Sequence, residues 1–384
     1  MRQPTPPRSR QIITLMNCVQ DYGRRALEGI ARYANAHHPG QWRLALMHIE
    51  QVQQKMPRLT PDVAGIIAHA YAPRLIEQLA ACGVPVVNTS GVAPSPTLPG
   101  VLPDNAAIGR MAAEDLTGRG HRRLVAYEVA GSALTRERRL AFTEAATSAG
   151  ATVQELRLRS WKRAEPDIAA MLRQTPTPVG IFAGNDGLAV ITVRQCQALG
   201  MAIPEQVAIL GVDNDTLTTN MMEPTISSID MPWEKLGFEA ASRVDLMIRG
   251  QTPEPHHLFI APNRVMTRQT TDGHAIEDPD VALIVHHIRE HAGQMFTIDQ
   301  LVELVPASRR SLEQRFKRAL GRTLQDHITR VRLERAKRLL TETDYAMPEI
   351  AHRSGFSNAA YFATVFRQHT RQTPTAFRSL YRLA

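Results

Sequence analysis

The sequence predicts an α/β domain built on a parallel sheet, followed by an all-α domain of two helix-turn-helix repeats. Three observations carry this. Strand-length apolar runs alternate with helix-like stretches as far as about residue 265. After Pro262 the alternation stops, and from Asp280 onward every run has helical spacing. Within that last part, one segment repeats another at a nearly constant offset.

A chain of 384 residues is too long for one core, so two or three domains are expected. Apolar content of 43% and charged content of 21% describe a soluble globular protein. The first ten residues, MRQPTPPRSR, read as a disordered basic tail over 1–10. They lead into no signal-type apolar core, and no apolar run reaches membrane-spanning length, so the expected location is the cytoplasm, with no membrane partner. Cys18, Cys82 and Cys196 are far apart and odd in number, which suits buried free thiols rather than disulfides or a metal site.

The strands are expected at Ile12–Val19, Trp42–His48, Val63–Ala68, Val84–Thr89, Arg123–Val129, Val179–Ala183 and Val207–Val212. Helix-like stretches such as 23–36, 74–81, 106–118, 135–150 and 186–200 lie between them. In such sheets ligands bind in the loops that follow the strands. Those loops hold Asn88-Thr89-Ser90, Gly184-Asn185-Asp186 and Asp213-Asn214-Asp215, and Pro103-Asp104-Asn105 opens a further helix. Carboxylates and amides grouped there suit vicinal hydroxyls, hence a sugar. The same residue types also N-cap helices, and each one alone reads either way.

Residues 11–265 resemble the sensor domain of the LacI/GalR family and the periplasmic-binding-protein-like fold. The resemblance rests on Pro103-Asp104-Asn105 with Gly109, on 116–121, on Arg138-Arg139-Leu140-Ala141-Phe142, on Gly184-Asn185-Asp186 and on the run 203–214. It implies two lobes around a cleft, with the chain crossing between them near Pro103, near Asp230–Pro232 and near Pro262. It also implies that Arg138 and Asp213 hold the effector's hydroxyls, that Asp186 and Asp104 lie in the same cleft, and that Trp161 gives sugar rings an apolar wall. LacI/GalR members begin with a DNA-binding segment. Here the first strand starts near Gln11, so a DNA reader is expected elsewhere or is absent.

Residues 266–279 are polar and read as a linker. Beyond them, 301–323 and 350–373 share one skeleton. Leu301/Ile350, Val302/Ala351, Pro306/Gly355 and Ser308/Ser357 are offset by 49; Leu312/Phe362, Phe316/Phe366, Lys317/Arg367 and Thr323/Thr373 are offset by 50. The twenty or so residues from 324 to 343 would form a helix of roughly 30 Å, close to the roughly 34–36 Å turn of B-DNA. One helix could then hold two readers against one face of the duplex. The charge agrees: residues 281–384 hold 17 Lys and Arg against 9 Asp and Glu, while the first 280 hold 28 of each sign. The net charge of +8 therefore sits in the last quarter, as a polyanion partner would favour.

This domain, expected over 280–384, resembles the DNA-binding domain of the AraC/XylS family. The match rests on Arg335-Ala336, Leu339-Leu340, Ile350-Ala351, Gly355-Phe356-Ser357, Tyr361-Phe362, Phe366-Arg367, Thr373-Pro374 and Phe377-Arg378. Arg371 stands where a glycine is usual at the end of the second reader. The first reader, 308–320, offers Arg309, Arg310, Glu313, Gln314 and Arg315. Arg reads G, Gln reads A and Glu accepts from C. The family's geometry implies that Arg310, Glu313 and Gln314 face bases. The second reader, 358–368, offers mostly alanines and Thr364, which touch thymine methyls, with Asn358 and Arg367 better suited to phosphate. Sequence discrimination is therefore expected mainly in the first reader.

The order of the modules, and the stretch Asp21-Tyr22-Gly23-Arg24 with Glu28-Gly29, resemble sugar-operon activators of the AraC/XylS family. That adds Tyr22 and Arg24 to the expected effector site and a monosaccharide such as xylose as effector. Double-stranded DNA is the expected partner, RNA polymerase a further one, and a homodimer through the first lobe the expected assembly. No catalytic residue, cofactor or metal is expected. His287-Ile288-Arg289-Glu290-His291 fits a zinc-protease spacing but has no third ligand in view. Other readings are a sugar transport protein, which would need an export signal, and a sugar-processing α/β protein whose C-terminal domain only tethers it to DNA.

Overall fold

The computed structural model describes residues 10–381 apart from 53–58, 93–94 and 274. The expected basic tail lies outside the described residues save for Arg10, which opens the first strand. The chain divides into two units, residues 1–274 and 275–384. No helix of the described residues is long and apolar enough to cross a membrane.

In the first unit, β1 (Arg10–Met16), α1 (Asp21–His37), β2 (Trp42–His48), α2 (Ile49–Val52), β3 (Val63–Ala68), α3 (Pro73–Ala80), β4 (Val86–Asn88) and β5 (Gly100–Pro103) start one lobe. The chain crosses to α4 (Asn105–Gly118), β6 (Arg123–Val129), α5 (Ala133–Ser148), β7 (Thr152–Leu158), α6 (Ala164–Gln174), β8 (Val179–Phe182), α7 (Asp186–Ala198), β9 (Val207–Asp213), α8 (Thr216–Asn220) and β10 (Ser227–Asp230). It returns for α9 (Trp233–Ile248) and β11 (His257–Ile260), then crosses again to β12 (Arg264–Met266). Two six-stranded sheets result, ordered β11-β5-β4-β3-β1-β2 and β12-β10-β9-β8-β6-β7. All pairings are parallel except β10 with β12. The three crossings fall where they were expected.

Strand β1 ends three residues before its expected limit because Asn17 Oδ1 accepts from Val19 N (3.0 Å) and turns the chain. Helices α1 and α9 touch backbone to backbone. A Cβ on Gly29 would lie 1.9 Å from Glu234 O, and one on Gly237 would lie 1.9 Å from Ala26 O. Gly109 does the same for α4 and α5, where a Cβ would meet Arg138 O at 2.3 Å. That approach seats α5 so that Arg138 reaches the second lobe's loops.

The expected linker over 266–279 is too long. Thr270 and Thr271 are fully buried. Thr270 Oγ1 donates to Ile209 O (2.7 Å), and Ile209 N donates back to Thr270 O (2.9 Å). Residues 266–273 thus belong to the second lobe, because their hydroxyls and backbone satisfy β9 and β10 there. Ile276 already lies in the second unit's core.

The second unit holds α10 (Pro279–Glu290), α11 (Ile298–Val302), α12 (Arg309–Leu320), α13 (Leu324–Glu342), α14 (Met347–Arg353), α15 (Ala359–Thr370) and α16 (Pro374–Tyr381). Its apolar interior is two clusters. Leu301, Leu312, Phe316, Leu324 and Ile328 form one; Leu333, Ala336, Leu340, Ile350, Phe362 and Phe366 form the other. Helix α13 contributes one end to each.

Candidate effector cleft and DNA-reading helices

Arg138 projects from α5 and is 1% exposed. Its Nε donates to Asn105 Oδ1 (3.1 Å) and its Nη1 to Gly184 O (2.6 Å). Asn105 Nδ2 donates to Glu137 Oε2 (3.0 Å), which fixes the amide's orientation. Arg138 Nη2 is buried and has no hydrogen-bond partner among the described residues. Burying a guanidinium donor unpaired is costly, so this nitrogen marks a place for an acceptor.

Three carboxylates lie in Arg138's field, Asp213, Asp186 and Glu137. Asp186 begins α7, after Asn185 has capped it by accepting from Leu188 N (2.8 Å). Both Asp186 oxygens are engaged: Ser228 Oγ donates to Oδ1 (2.6 Å) and Asp215 N to Oδ2 (2.9 Å). Burial, then the charge of Asp213, push its carboxyl well above the usual range. Gly211 makes room for it, since a Cβ there would lie 2.2 Å from Asp186 Oδ1.

Asp213 ends β9 in the left-handed region at φ 108°, and Asn214 follows at φ 51°. Burial pushes the Asp213 carboxyl up to about 6, against the opposing pull of Arg138. Its carboxylate has no hydrogen-bond partner among the described residues. The cleft therefore offers one unpaired donor arm from α5 and one carboxylate without a partner at the end of β9, a pair suited to neighbouring hydroxyls that both donate and accept.

The first lobe contributes rings. Tyr22 packs 4.8 Å from His69 and 5.7 Å from Trp233, centroid to centroid. Burial pushes the His69 imidazole down to about 4, so it is neutral at pH 7. His69, Trp233 and Ser228 were not among the expected residues; Asn105 was, beside Asp104, whereas Ser228 and Trp233 flank the second crossing and carry no local signal.

The other expected effector residues show these local contacts. Asp104 accepts from Ala107 N (2.8 Å) and caps α4. Arg24 donates to Cys18 O (3.0 Å), Val19 O (2.8 Å) and Asp21 Oδ1 (3.2 Å), closing the loop after β1 rather than reaching the other lobe. Trp161 sits in a short helical turn after edge strand β7 and is 47% exposed.

In the second unit, Ser308 caps α12 by accepting from Ser311 N (3.3 Å), and Gly321 ends it at φ 68°. Leu312 and Phe316 face the core, leaving Arg310, Gln314, Lys317 and Arg318 exposed. Arg309 is paired with Asp299 and Glu313, at 3.0 Å each. Arg315, expected on the DNA side, is instead clasped by Asp278 and Asp280 at the start of α10. Its Nε donates to Asp278 Oδ2 (2.6 Å) and its Nη2 to Asp280 Oδ2 (2.8 Å), which hold it against α10.

On α15, Phe362, Val365 and Phe366 are buried, while Ala360, Tyr361, Thr364 and Arg367 are exposed. Thr364 Oγ1 donates to Ala360 O (3.0 Å), which leaves its methyl outward. Asn358 caps the helix by accepting from Tyr361 N (2.8 Å). The readers are fixed to each other. Arg335 Nε donates to Arg353 O (2.7 Å), Arg332 Nη2 donates to Gln294 O (3.1 Å), and a Cβ on Gly355 (φ 77°) would lie 2.6 Å from Ala292 O.

Fold and helices define a DNA-binding transcription regulator that joins a periplasmic-binding-protein-like sensor to an AraC-type helix-turn-helix domain. Residues 113–271 match the periplasmic binding protein-like domain, and 301–379 match a helix-turn-helix domain. Over 383 residues the chain is 28% identical to the xylose operon regulatory protein of Escherichia coli K12, covering 96% of this chain and 97% of that one. The protein of that name from Haemophilus influenzae is 27% identical over 385 residues, 96% of this chain and 98% of its own. The solved structure of the xylose-binding transcription activator xylR superposes with a TM-score of 0.81 at 26% identity, over 98% of this chain and 99% of that one. A LacI-family sugar-binding regulator from Enterococcus faecalis shares the sensor fold, with a TM-score of 0.58 at 19% identity over 69% of this chain and 99% of its own.

Proposed function

We propose that this regulator answers to a monosaccharide, with D-xylose first in rank, and that it works in the cytoplasm as a homodimer on paired DNA half-sites. The buried Arg138 Nη2 without a partner, beside the Asp213 carboxylate without a partner, carries the reading. Such a pair suits vicinal hydroxyls, and the Tyr22, His69 and Trp233 rings suit the apolar face of a sugar ring. Xylose takes first rank from the relatives named above. The sensor binds its sugar and releases it unchanged. Arg138, Asp186 and Asp213 hold the effector; Arg310, Glu313 and Gln314 read bases, with Arg309, Asn358, Thr364 and Arg367 at their margins. Binding favours the closed cleft only by its differential affinity for that state, and closure alters how two protomers present their readers to DNA and to RNA polymerase.

A thermal-shift panel of pentoses and hexoses tests this. A sugar at a hundred times its dissociation constant stabilises the sensor by about 2.7 kcal/mol. The expected result is a shift with D-xylose that disappears in Asp213→Ala. No shift with any sugar moves the sensor to another ligand class.

A further inference from the structure

An unbroken line of hydrogen bonds runs from the cleft to the segment by which the chain leaves the sensor. Ser228 Oγ donates to Asp186 Oδ1 (2.6 Å) and accepts from Asn214 N (3.0 Å). Asn214 Oδ1 accepts from Arg268 Nη2 (2.7 Å), and Asn214 Nδ2 donates to Asp230 Oδ1 (3.1 Å) at the second crossing. Asp230 Oδ2 in turn accepts from Asn263 Nδ2 (2.6 Å) at the third. Arg268 therefore grips the turn that carries Asp213 and, through Nη1 to Ile226 O (2.9 Å), the residue just before β10.

The turn itself is strained. Asp213 and Asn214 are consecutive non-glycine residues in the left-handed region, a conformation that persists only where surrounding bonds hold it. The Asn214 amide cannot rotate without losing Arg268 on one side and Asp230 on the other. Any ligand that takes Asp213 acts on this same two-residue turn. Arg268 lies in the stretch 266–273, whose backbone is pinned by Arg268 N to Ser227 Oγ (2.7 Å) and Thr270 N to Thr225 O (3.1 Å). Residue 275 then opens the DNA-binding unit.

We propose that Arg268 is a positioning residue that couples occupancy of the cleft to the exit segment 266–273, and through that segment to DNA binding. The coupling rests on the proposed function only for the identity of the sugar.

The test uses the full chain, D-xylose, and a DNA fragment that the wild-type chain selects from a random-sequence pool. In Arg268→Gln D-xylose still binds, because Arg138, Asp186 and Asp213 remain, and it is added to saturation of the variant as titrated by calorimetry. The change in DNA affinity on adding the sugar, about 5- to 150-fold for a typical allosteric coupling, is lost. Arg268→Lys keeps the charge but cannot span Ile226 O and Asn214 Oδ1 together, and it loses most of the response. A full sugar response in Arg268→Gln overturns the proposal. A second measurement needs no ligand. Asn214→Ala should speed amide hydrogen exchange at Arg268 and Thr270 as much as Arg268→Gln does, and unchanged exchange there also overturns it. Should the wild type bind no D-xylose, the sugar reading falls and the exchange comparison alone decides the coupling.

Discussion

Arg315 and Asp278 face each other through two parallel hydrogen bonds, 2.6 Å from Nε and 2.5 Å from Nη2, with Asp280 accepting a third at 2.8 Å. Asp278 also caps α10. The first reader helix is thereby tied to the first turn of its own domain. Arg315→Gln is expected to lower the melting temperature of the C-terminal unit in the full chain while leaving the order of preferred bases unchanged. Calorimetry and a base-by-base binding matrix check the two halves of that statement. The pair also sets a pH trend. Arg315 holds the Asp278 carboxyl below its usual range, so its contribution is complete above about pH 4 and fades as the pH falls through the lowered value.

Arg310 and Thr364 should behave unequally. Arg310 is exposed on α12, whereas the Thr364 hydroxyl is bonded back into α15. Arg310→Ala is expected to cost about 1–3 kcal/mol at one base position and to relax selectivity there. Thr364→Ala, which keeps a methyl outward, should change no base preference by more than about a third of that. Binding matrices equally sharp in both half-sites would contradict this.

Effector affinity should fall in mild acid. The Asp213 carboxyl titrates near 6 because of burial, and a sugar hydroxyl donates to it only when it is ionised. Calorimetric titration should show affinity steady above about pH 7 and weakening below about pH 6, with that dependence removed in Asp213→Asn. Folding stability of the sugar-free sensor has the opposite sign. The folded state binds this proton more tightly than the unfolded chain, so stability rises as the pH falls from above 6 toward 4.

Arg371 ends α15 at φ 62°, where Gly321 ends α12 at φ 68°. A side chain in that region costs roughly 1–2 kcal/mol. Arg371→Gly should stabilise the second half of the domain by about 1 kcal/mol, and Gly321→Ala should destabilise the first half by a similar amount. Urea denaturation of the full chain monitored by hydrogen exchange in α12 and α15 separates the two.

Much of this was legible in the sequence because its signals are local or repeated. Buried parallel strands such as Val207–Asp213 are continuous apolar runs, and the tandem readers show as one offset. Edge strand β7 was not legible, since only Leu158 of its seven residues is buried and TVQELRL has no apolar face to read. The exit segment was read as a linker because Arg268, Thr270 and Thr271 are polar, yet their partners lie about forty residues or more away in sequence. Asp186 and Asp213 were legible as strand-end polar groups, and Arg138 through the family resemblance. Which of them would keep a bond unmade was not, because Asp186's partners, Ser228 and Asp215, are brought by the second lobe's fold.

The sharing of α13 between two separate apolar clusters carries a consequence for how such a regulator can change its targets. Substitutions within one cluster leave the other's packing alone, so the vocabulary of each half-site can drift independently. The phase between them cannot. It is set by a single helix of 19 residues with polar braces near its middle, and a base pair inserted between the half-sites turns one of them away by about 34–36° of the double helix, a rotation that no change in either reader can follow.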